Sequence, residues 1–549
     1  MVETQHSGGE SALENPGAVA SAASMVWDAW GIPAGHQPLS AQIRGLLAQV
    51  FGVSGTPVAR RDEGDVPLRE STLTTAQRDG LIAVVGVEHV RTDHHDRLLR
   101  AGGKSTPDLL RRRLDGPQDA PDAVVFPADH AQVLAVLAYC ADNAVAMVPF
   151  GGGTSVVGGV EPERGRFACV IALDLSRLDG LREVDPVSGT ATLGAGVTGP
   201  RAEELLGAHG LSLGHYPQSF EFASIGGFAA TRSSGQASAG YGRFDDMVQR
   251  VRIATPSGEL NLGRAPASAA GPDLRELFVG SEGAFGVITE VTVRVHPSPE
   301  TVVRQAWSFP DFATGAAALR TVVQTGAAPT VLRLSDEAET GLNLARAGDI
   351  GGEAVTGCLA VTTYEGTHAH VRARVAEANA LLLAAGGTAL GSAPAEQWEH
   401  GRFAAPYLRD ALLDIGVLCE TLETATTWSA LAAVKAEVTA ALTDSLAGQG
   451  TPPVVMCHIS HTYPTGASLY FTVVAKQADD PITQWGIAKR AAGAAIVAAG
   501  ATITHHHAVG TDHRPWLPAE VGDLGLRVLR AVKRELDPVG IMNPGKLVR

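Results

Sequence analysis

A chain of 549 residues with 43 Lys and Arg against 58 Asp and Glu carries a formal charge of −15. That excludes the broad basic face needed for nonspecific nucleic-acid binding and leaves length for two or three domains. Five scattered cysteines without a C-x-x-C pair exclude a disulfide framework, no apolar run reaches the ~18 residues of a spanning helix, and the N-terminus lacks signal-peptide order, so a cytoplasmic location is expected.

Residues 1–22 are polar and small and read as disordered. Apolar spacing predicts a helix over 41–51. Pro107 opens a short helix over 107–113, where Arg111, Arg112 and Arg113 either complement the helix dipole or form an anion site. From about residue 120, β-rich runs (123–126, 146–149, 169–173, 190–193) alternate with helices (130–140, 199–208), an α+β pattern. Strands over 249–255 and 258–263, joined at Pro256-Ser257, read as a hairpin. A long strand over 287–295 then runs into Pro297 and Pro299, where the first unit ends. Residues 300–490 read as strand (302–309), helix (312–325), strands (330–334, 358–364) and helix (371–385). The pattern recurs near 415–420, 428–446 and 468–474, and two such β-α-β rounds predict a ferredoxin-like α/β cap. The expected organisation is an N-terminal extension with helices (1–119), a nucleotide-binding domain (120–299), the cap (300–490), and a segment (491–549) that returns to the nucleotide site.

Residues 149–159 read Pro-Phe-Gly-Gly-Gly-Thr-Ser-Val-Val-Gly-Gly. Consecutive glycines let backbone amides close on an anion, and two hydroxyls can donate beside them, so Pro149, Gly151, Gly152, Gly153, Thr154 and Ser155 are candidate pyrophosphate ligands. A dinucleotide fingerprint is excluded, because Gly158, Gly159 and Pro162 forbid the helix it needs. A Walker loop is excluded as well: Gly103-Lys104-Ser105 supplies its tail, but Leu98 stands at the first glycine. Two further turns follow. Small residues over 219–242 could lie against a flat ring, with Ser224, Gly226, Gly227, Thr231 and Ser234 as candidates. Residues 280–289 offer Glu282, Gly283, Gly286, Val287 and Ile288. One ligand with a pyrophosphate and an extended planar part would account for all three turns.

The runs P-F-G-G-G-T-S-V-V-G-G, S-I-G-G-F-A-A-T-R-S-S-G and G-S-E-G-A-F-G-V-I-T resemble the FAD-binding domain of the vanillyl-alcohol oxidase / PCMH-type flavoprotein superfamily. The resemblance implies a two-subdomain FAD domain over about 120–299 with noncovalent FAD. Within that superfamily the chain is similar to the alkyldihydroxyacetonephosphate synthase family. The similarity runs through Trp27–Gly31, Arg333–Asp336, Ala405–Asp410, Ser468–Phe471 and the triplet His505-His506-His507. It implies exchange of the acyl chain of acyl-dihydroxyacetone phosphate for a fatty alcohol, with a flavin that holds the substrate carbon at N5 and does no net redox chemistry. The expected partners are those two lipid substrates and a second subunit in a homodimer, together with peripheral membrane contact.

Tyr470 alternates with Leu469 and Phe471, which puts it on the polar face beside Ser468 and Thr472. Its hydroxyl can shuttle a proton if a nearby cation lowers its pKa, and the resemblance makes it the catalytic tyrosine. If residues 501–507 are extended, His505 and His507 share one face and His506 points away. The resemblance places these histidines at the active site. His458 and His461 form H-x-x-H on a strand, poor spacing for ligands, and no H-E-x-x-H exists, so no metal is expected. Arg333 and Arg409 suit phosphate capture or a structural salt bridge. The resemblance assigns both to the dihydroxyacetone-phosphate end. Ala508, Thr511–Arg514 and Cys457-His458 depart from the animal enzymes. The rival reading is an FAD-linked oxidase or dehydrogenase of 2-hydroxy acids, whose acid-rich H-x-G-D-G-N-x-H segment is absent over 458–466. A flavin-carrying binding protein is a third.

Overall fold

Strands of the computed structural model fall into sheets of four, five, two and seven strands. The structure describes residues 25–58, 60–113, 116–342 and 356–548, and the disorder expected over 1–22 lies outside them. The first sheet runs in the order Val90–Arg91, Ala123–Val125, Val170–Asp174, Ala146–Phe150. The last three strands are parallel and almost wholly buried, as a sheet covered on both faces must be. Helices Thr75–Val85 and His130–Asp142 bury Leu81, Val133, Val136 and Leu137 against it. The N-terminal extension thus adds both an edge strand and a covering helix.

The five-stranded antiparallel sheet contains the expected hairpin, with Thr255 opposite Gly258. Strand Val287–Arg294 lies at its centre, between Thr190–Gly194 and Val248–Thr255. Both smaller sheets end in the glycine-rich turns.

The cap is a seven-stranded antiparallel sheet in the order Thr388–Gly391, Thr301–Phe309, Cys358–Gly366, Val331–Ser335, Val454–Ile459, Gly466–Lys476, Val417–Thr427. Helices Phe312–Gln324, His368–Ala384, Leu431–Gly448 and Pro481–Ala498 bury Leu319, Leu382, Val438 and Ile496 in a core shared with Leu469, Phe471 and Val473. The last of these helices runs through position 490. Strand alternation turns the opposite face, with Arg333, Tyr470 and Thr472, toward the glycine turns.

The C-terminal segment closes the molecule. Asp537 accepts from the backbone N–H groups of Gly540, Ile541 and Met542. Met542 then bridges to Met147 at the first sheet's edge. Asn543 Nδ2 donates to the carbonyls of Gly159 and Glu282, at 3.1 and 2.6 Å. No helix among the described residues is long and apolar enough to cross a membrane.

Candidate functional site

A single cavity lies between the three glycine turns and the cap sheet. Every expected cofactor residue lines it except Val287. Alternation puts Gly286 and Ile288 on the cavity side, and Val287 points into the core behind the first sheet. Gly153 needs φ +66, a conformation open to glycine. A Cβ on Gly152 would lie 2.0 Å from the Phe222 carbonyl oxygen, so that glycine permits close chain packing. At Gly227 a Cβ would meet only Ser224 Oγ, at 3.4 Å, so this glycine keeps the cavity floor clear. The ionisable group of this wall is Glu282. Burial raises its carboxyl to about 7, and it accepts from the backbone N–H groups of Val509 and Gly510 at 3.1 and 2.8 Å.

The cap wall is rich in ionisable groups. Tyr470 packs its ring against His458 (centroids 4.9 Å, 19°), His506 (6.2 Å, 13°) and, edge-on, His507 (5.7 Å, 82°). The expected lowering of its pKa by a cation is not met. Burial pushes the phenol up, and the Glu420 and Glu423 carboxylates push it further. Tyr470 is therefore a neutral hydroxyl, able to donate a hydrogen bond at neutral pH.

The histidine triplet is not extended. Glu423, directly opposite Tyr470 in the strand pair, accepts from the backbone N–H groups of His505 (2.6 Å), His506 (3.2 Å) and His507 (3.0 Å) and from the Thr504 hydroxyl (2.6 Å). Three consecutive amides curl around one buried carboxylate, and that breaks the alternation. Burial favours the neutral acid, but His506, His507, His505 and the Thr504 bond outweigh it and hold Glu423 well below the usual carboxylate range. The curl turns both His506 and His507 into the cavity. His505 lies behind them, with Nδ1 3.0 Å from His506 Nδ1 and Nε2 2.6 Å from the Tyr463 hydroxyl. Burial lowers all three histidines, His507 to about 3.

Arg333 and Arg409 both reach the cavity wall, but they are not equivalent. Arg333 pairs through Nη2 with Glu339, and its buried Nε has no partner. Glu339 also accepts from His458 Nδ1 at 2.8 Å. Arg409 spends Nε and Nη2 on Asp410 (3.0 and 2.9 Å) and Nη1 on the Lys104 carbonyl (2.5 Å). It is a strut between the cap and the N-terminal extension.

That extension is pinned through residues the sequence left ambiguous. Fully buried Lys104 donates to the carbonyls of Val26 (2.5 Å) and Ala29 (2.8 Å). Arg112 and Arg113 donate to those of Trp27 and Asp28, and Arg111 pairs with Asp108 and Glu161. The three arginines therefore neither serve the helix dipole alone nor form an open anion site. Together they hold Trp30 against the cavity, edge-on to Phe222 at 5.6 Å.

The site fits FAD. Its glycine wall offers backbone amides with the hydroxyls of Thr154, Ser155 and Ser224 and no cation. Trp30 Nε1, Gln218 Nε2, Gln236 Oε1 and Arg333 Nε are buried around the cavity without partners, groups that a bound molecule would satisfy. His461, His505 and His506 bring nitrogens within 4.8 Å of one another, a spacing a metal ion could use. Hydrogen bonds to Ser234, Ser238 and Tyr463, and between His505 and His506, already engage them. Sequence reasoning missed Glu423, Tyr463 and Trp30, and weighed His458 and His461 only as metal ligands. A buried glutamate inside a Thr-rich strand was the one available signal.

The family profile of the FAD binding domain matches residues 121–262, and that of the C-terminal domain of FAD-linked oxidases matches residues 298–547. The class is therefore a PCMH-type FAD flavoprotein. Alkyldihydroxyacetonephosphate synthase of Trypanosoma brucei brucei is 33% identical over 91% of this chain and 84% of its own length. The synthase of Dictyostelium discoideum is 33% identical over 84% and 79%. A solved alkyldihydroxyacetonephosphate synthase superimposes with a TM-score of 0.81 at 28% identity, covering 96% of this chain and 99% of that one. This chain belongs to the alkyldihydroxyacetonephosphate synthase family.

Proposed function

We propose that this protein exchanges the acyl chain of acyl-dihydroxyacetone phosphate for a fatty alcohol, with FAD bound noncovalently and no net redox change. The carrying observation is the cap wall, where Tyr470, His506 and His507 converge opposite the glycine turns. FAD, when bound, supplies a ring nitrogen able to hold and release carbon without net electron transfer.

The chain's own residues bind, orient and move protons. Arg333, with its unpartnered Nε, and His458 beside it receive the substrate phosphate. Arg409 positions that end of the cavity through Asp410. Leu408, Leu412 and Val474 give the cavity an apolar side suited to a hydrocarbon chain. Tyr470 donates a hydrogen bond to the departing carboxylate oxygen, and neutral His506 or His507 takes a proton. Noncovalent flavin is supported by the prior engagement of His458, His461 and His506 with protein partners. Acid precipitation should leave the yellow colour in solution. Lipid-surface contact is supported by Leu524 and Val528, 66% and 52% exposed along helix Leu517–Leu536. A homodimer and a division into extension, FAD domain, cap and returning segment belong to the same reading.

The test is to incubate the holoenzyme with palmitoyl-dihydroxyacetone phosphate and hexadecanol and detect ether product by mass spectrometry. Flavin bleaching with D-lactate or 2-hydroxyglutarate and no ether would instead make it a 2-hydroxy acid dehydrogenase.

A further inference from the structure

The exchange has a proton balance. The bond between the dihydroxyacetone carbon and the ester oxygen breaks, and its electron pair leaves on the carboxylate. A bond from that carbon to the alcohol oxygen forms, and the alcohol's O–H proton is released. Nothing is oxidised or reduced. Near neutral pH a free carboxylic acid is ionised, so each turnover leaves one proton inside a buried cavity.

We propose that His506, His505 and Tyr463 form a relay that carries this proton from the cavity to the surface, with His505 as carrier rather than substrate contact. This rests on the synthase reading above. His506 faces the cavity beside Tyr470. Its Nδ1 lies 3.0 Å from His505 Nδ1, and His505 Nε2 lies 2.6 Å from the Tyr463 hydroxyl. Both nitrogens of His505 are thus engaged within the protein, so its ring can only receive on one side and give on the other. A proton taken by His506 at the nitrogen not facing His505 releases the Nδ1 proton to His505. His505 in turn releases its Nε2 proton to the Tyr463 oxygen as the Tyr463 hydroxyl gives its own proton to solvent beside Pro464 and Thr465. Tyr463 is half-buried and directly precedes exposed Pro464 and Thr465, and Arg243 and Ser234 stand near its phenol.

The surroundings keep the proton moving. Around His505 stand His506, Glu423, Arg243, His507 and, stacked at 5.0 Å, His461. Glu423 fixes the main chain of His505 and His506, and Arg243 cannot accept a proton, so its charge discourages a lasting imidazolium.

The experiment compares wild-type holoenzyme with Tyr463→Phe and His505→Gln, using palmitoyl-dihydroxyacetone phosphate and hexadecanol with and without added imidazole. Each variant should lose about 10- to 100-fold in kcat, within or below the usual worth of a proton-transfer group. KM and flavin content should be unchanged, and imidazole should restore part of the rate. An unchanged kcat, or a loss that appears in KM or flavin content and ignores imidazole, overturns the relay while the synthase reading stands. If one variant fails to fold, the other carries the same outcomes. A wild type that forms no ether removes the reading and the relay together. Stoichiometric zinc in the purified enzyme, whose removal by chelation abolishes turnover, would place these histidines on a metal and overturn the relay.

Discussion

The glycine wall contributes backbone amides and hydroxyls from 149–155, 224–234 and 282–288, whereas the cap wall contributes Tyr470, His458, His506, His507 and Arg333. Each wall holds the C-terminal segment with one buried glutamate, and the two glutamates behave oppositely. Glu423 cages three consecutive amides and a hydroxyl among histidines and is held low. Glu282 takes two amides, and burial lifts it to about 7. The difference separates labour within one cavity. One wall binds by shape and dipoles, with Glu282 as its ionisable group, and the other handles protons and charge.

The sharpest way to break this division is Tyr470→Phe. It should cut turnover by about 10²- to 10⁴-fold and leave flavin content unchanged by absorbance, because the ring still packs on His458. Loss of flavin in that variant would mean that the walls are not separate. Glu423→Gln comes next. It sets an amide against backbone N–H groups that now find a carboxylate, at a cost of about 1–3 kcal/mol for a donor left unsatisfied. Turnover should fall with it by about 10²-fold, while thermal denaturation still shows a folded protein.

Acid tests the same contrast without mutation. Burial holds His461, His505, His506, His507 and His513 below their ordinary value, His507 to about 3 and His513 to about 4. Above the unfolded value of about 6.5 both states are neutral, and the full stability is present. As pH falls below that value, the unfolded chain takes up protons that the fold refuses. Stability then drops by up to about 1.4 kcal/mol per pH unit for each such histidine until its folded pKa is reached. Thermal unfolding followed from pH 7.5 to 5.5 should show a steep fall in Tm.

The smallest effects separate two glycines of the first wall. Gly152→Ala drives a Cβ into the Phe222 carbonyl and should cost about 1–3 kcal/mol by overpacking, lowering Tm even without flavin. Gly227→Ala has room in the protein and should weaken flavin binding several-fold while the Tm of the apoprotein stays put. Equal effects of both variants on apoprotein Tm would erase the distinction between packing and cradle glycines.

The glycine wall was legible in the sequence because its chemistry is local. Runs such as Gly151–Gly153 and Gly226–Gly227 announce close backbone approach by themselves, and alternation correctly put Tyr470 and Thr472 on the cavity face. The failures share one cause. The curl of His505–His507 is imposed by Glu423, more than 80 residues earlier in the chain. The engagement of Arg409 depends on Asp410 and on the Lys104 carbonyl, 305 residues away. Tyr463 matters only through His505, 42 residues on. Val287 shows the reverse case, a residue inside a legible motif whose strand parity sends its side chain into the core.

Transfer without redox chemistry is best tested in one sealed reaction with palmitoyl-dihydroxyacetone phosphate and hexadecanol, measuring ether product, released palmitate and dissolved oxygen together. Ether and palmitate should appear one for one, with no oxygen consumed and no electron acceptor required. Oxygen uptake in step with product, or a need for an electron acceptor, would contradict the division of the cavity into a binding wall and a proton-handling wall.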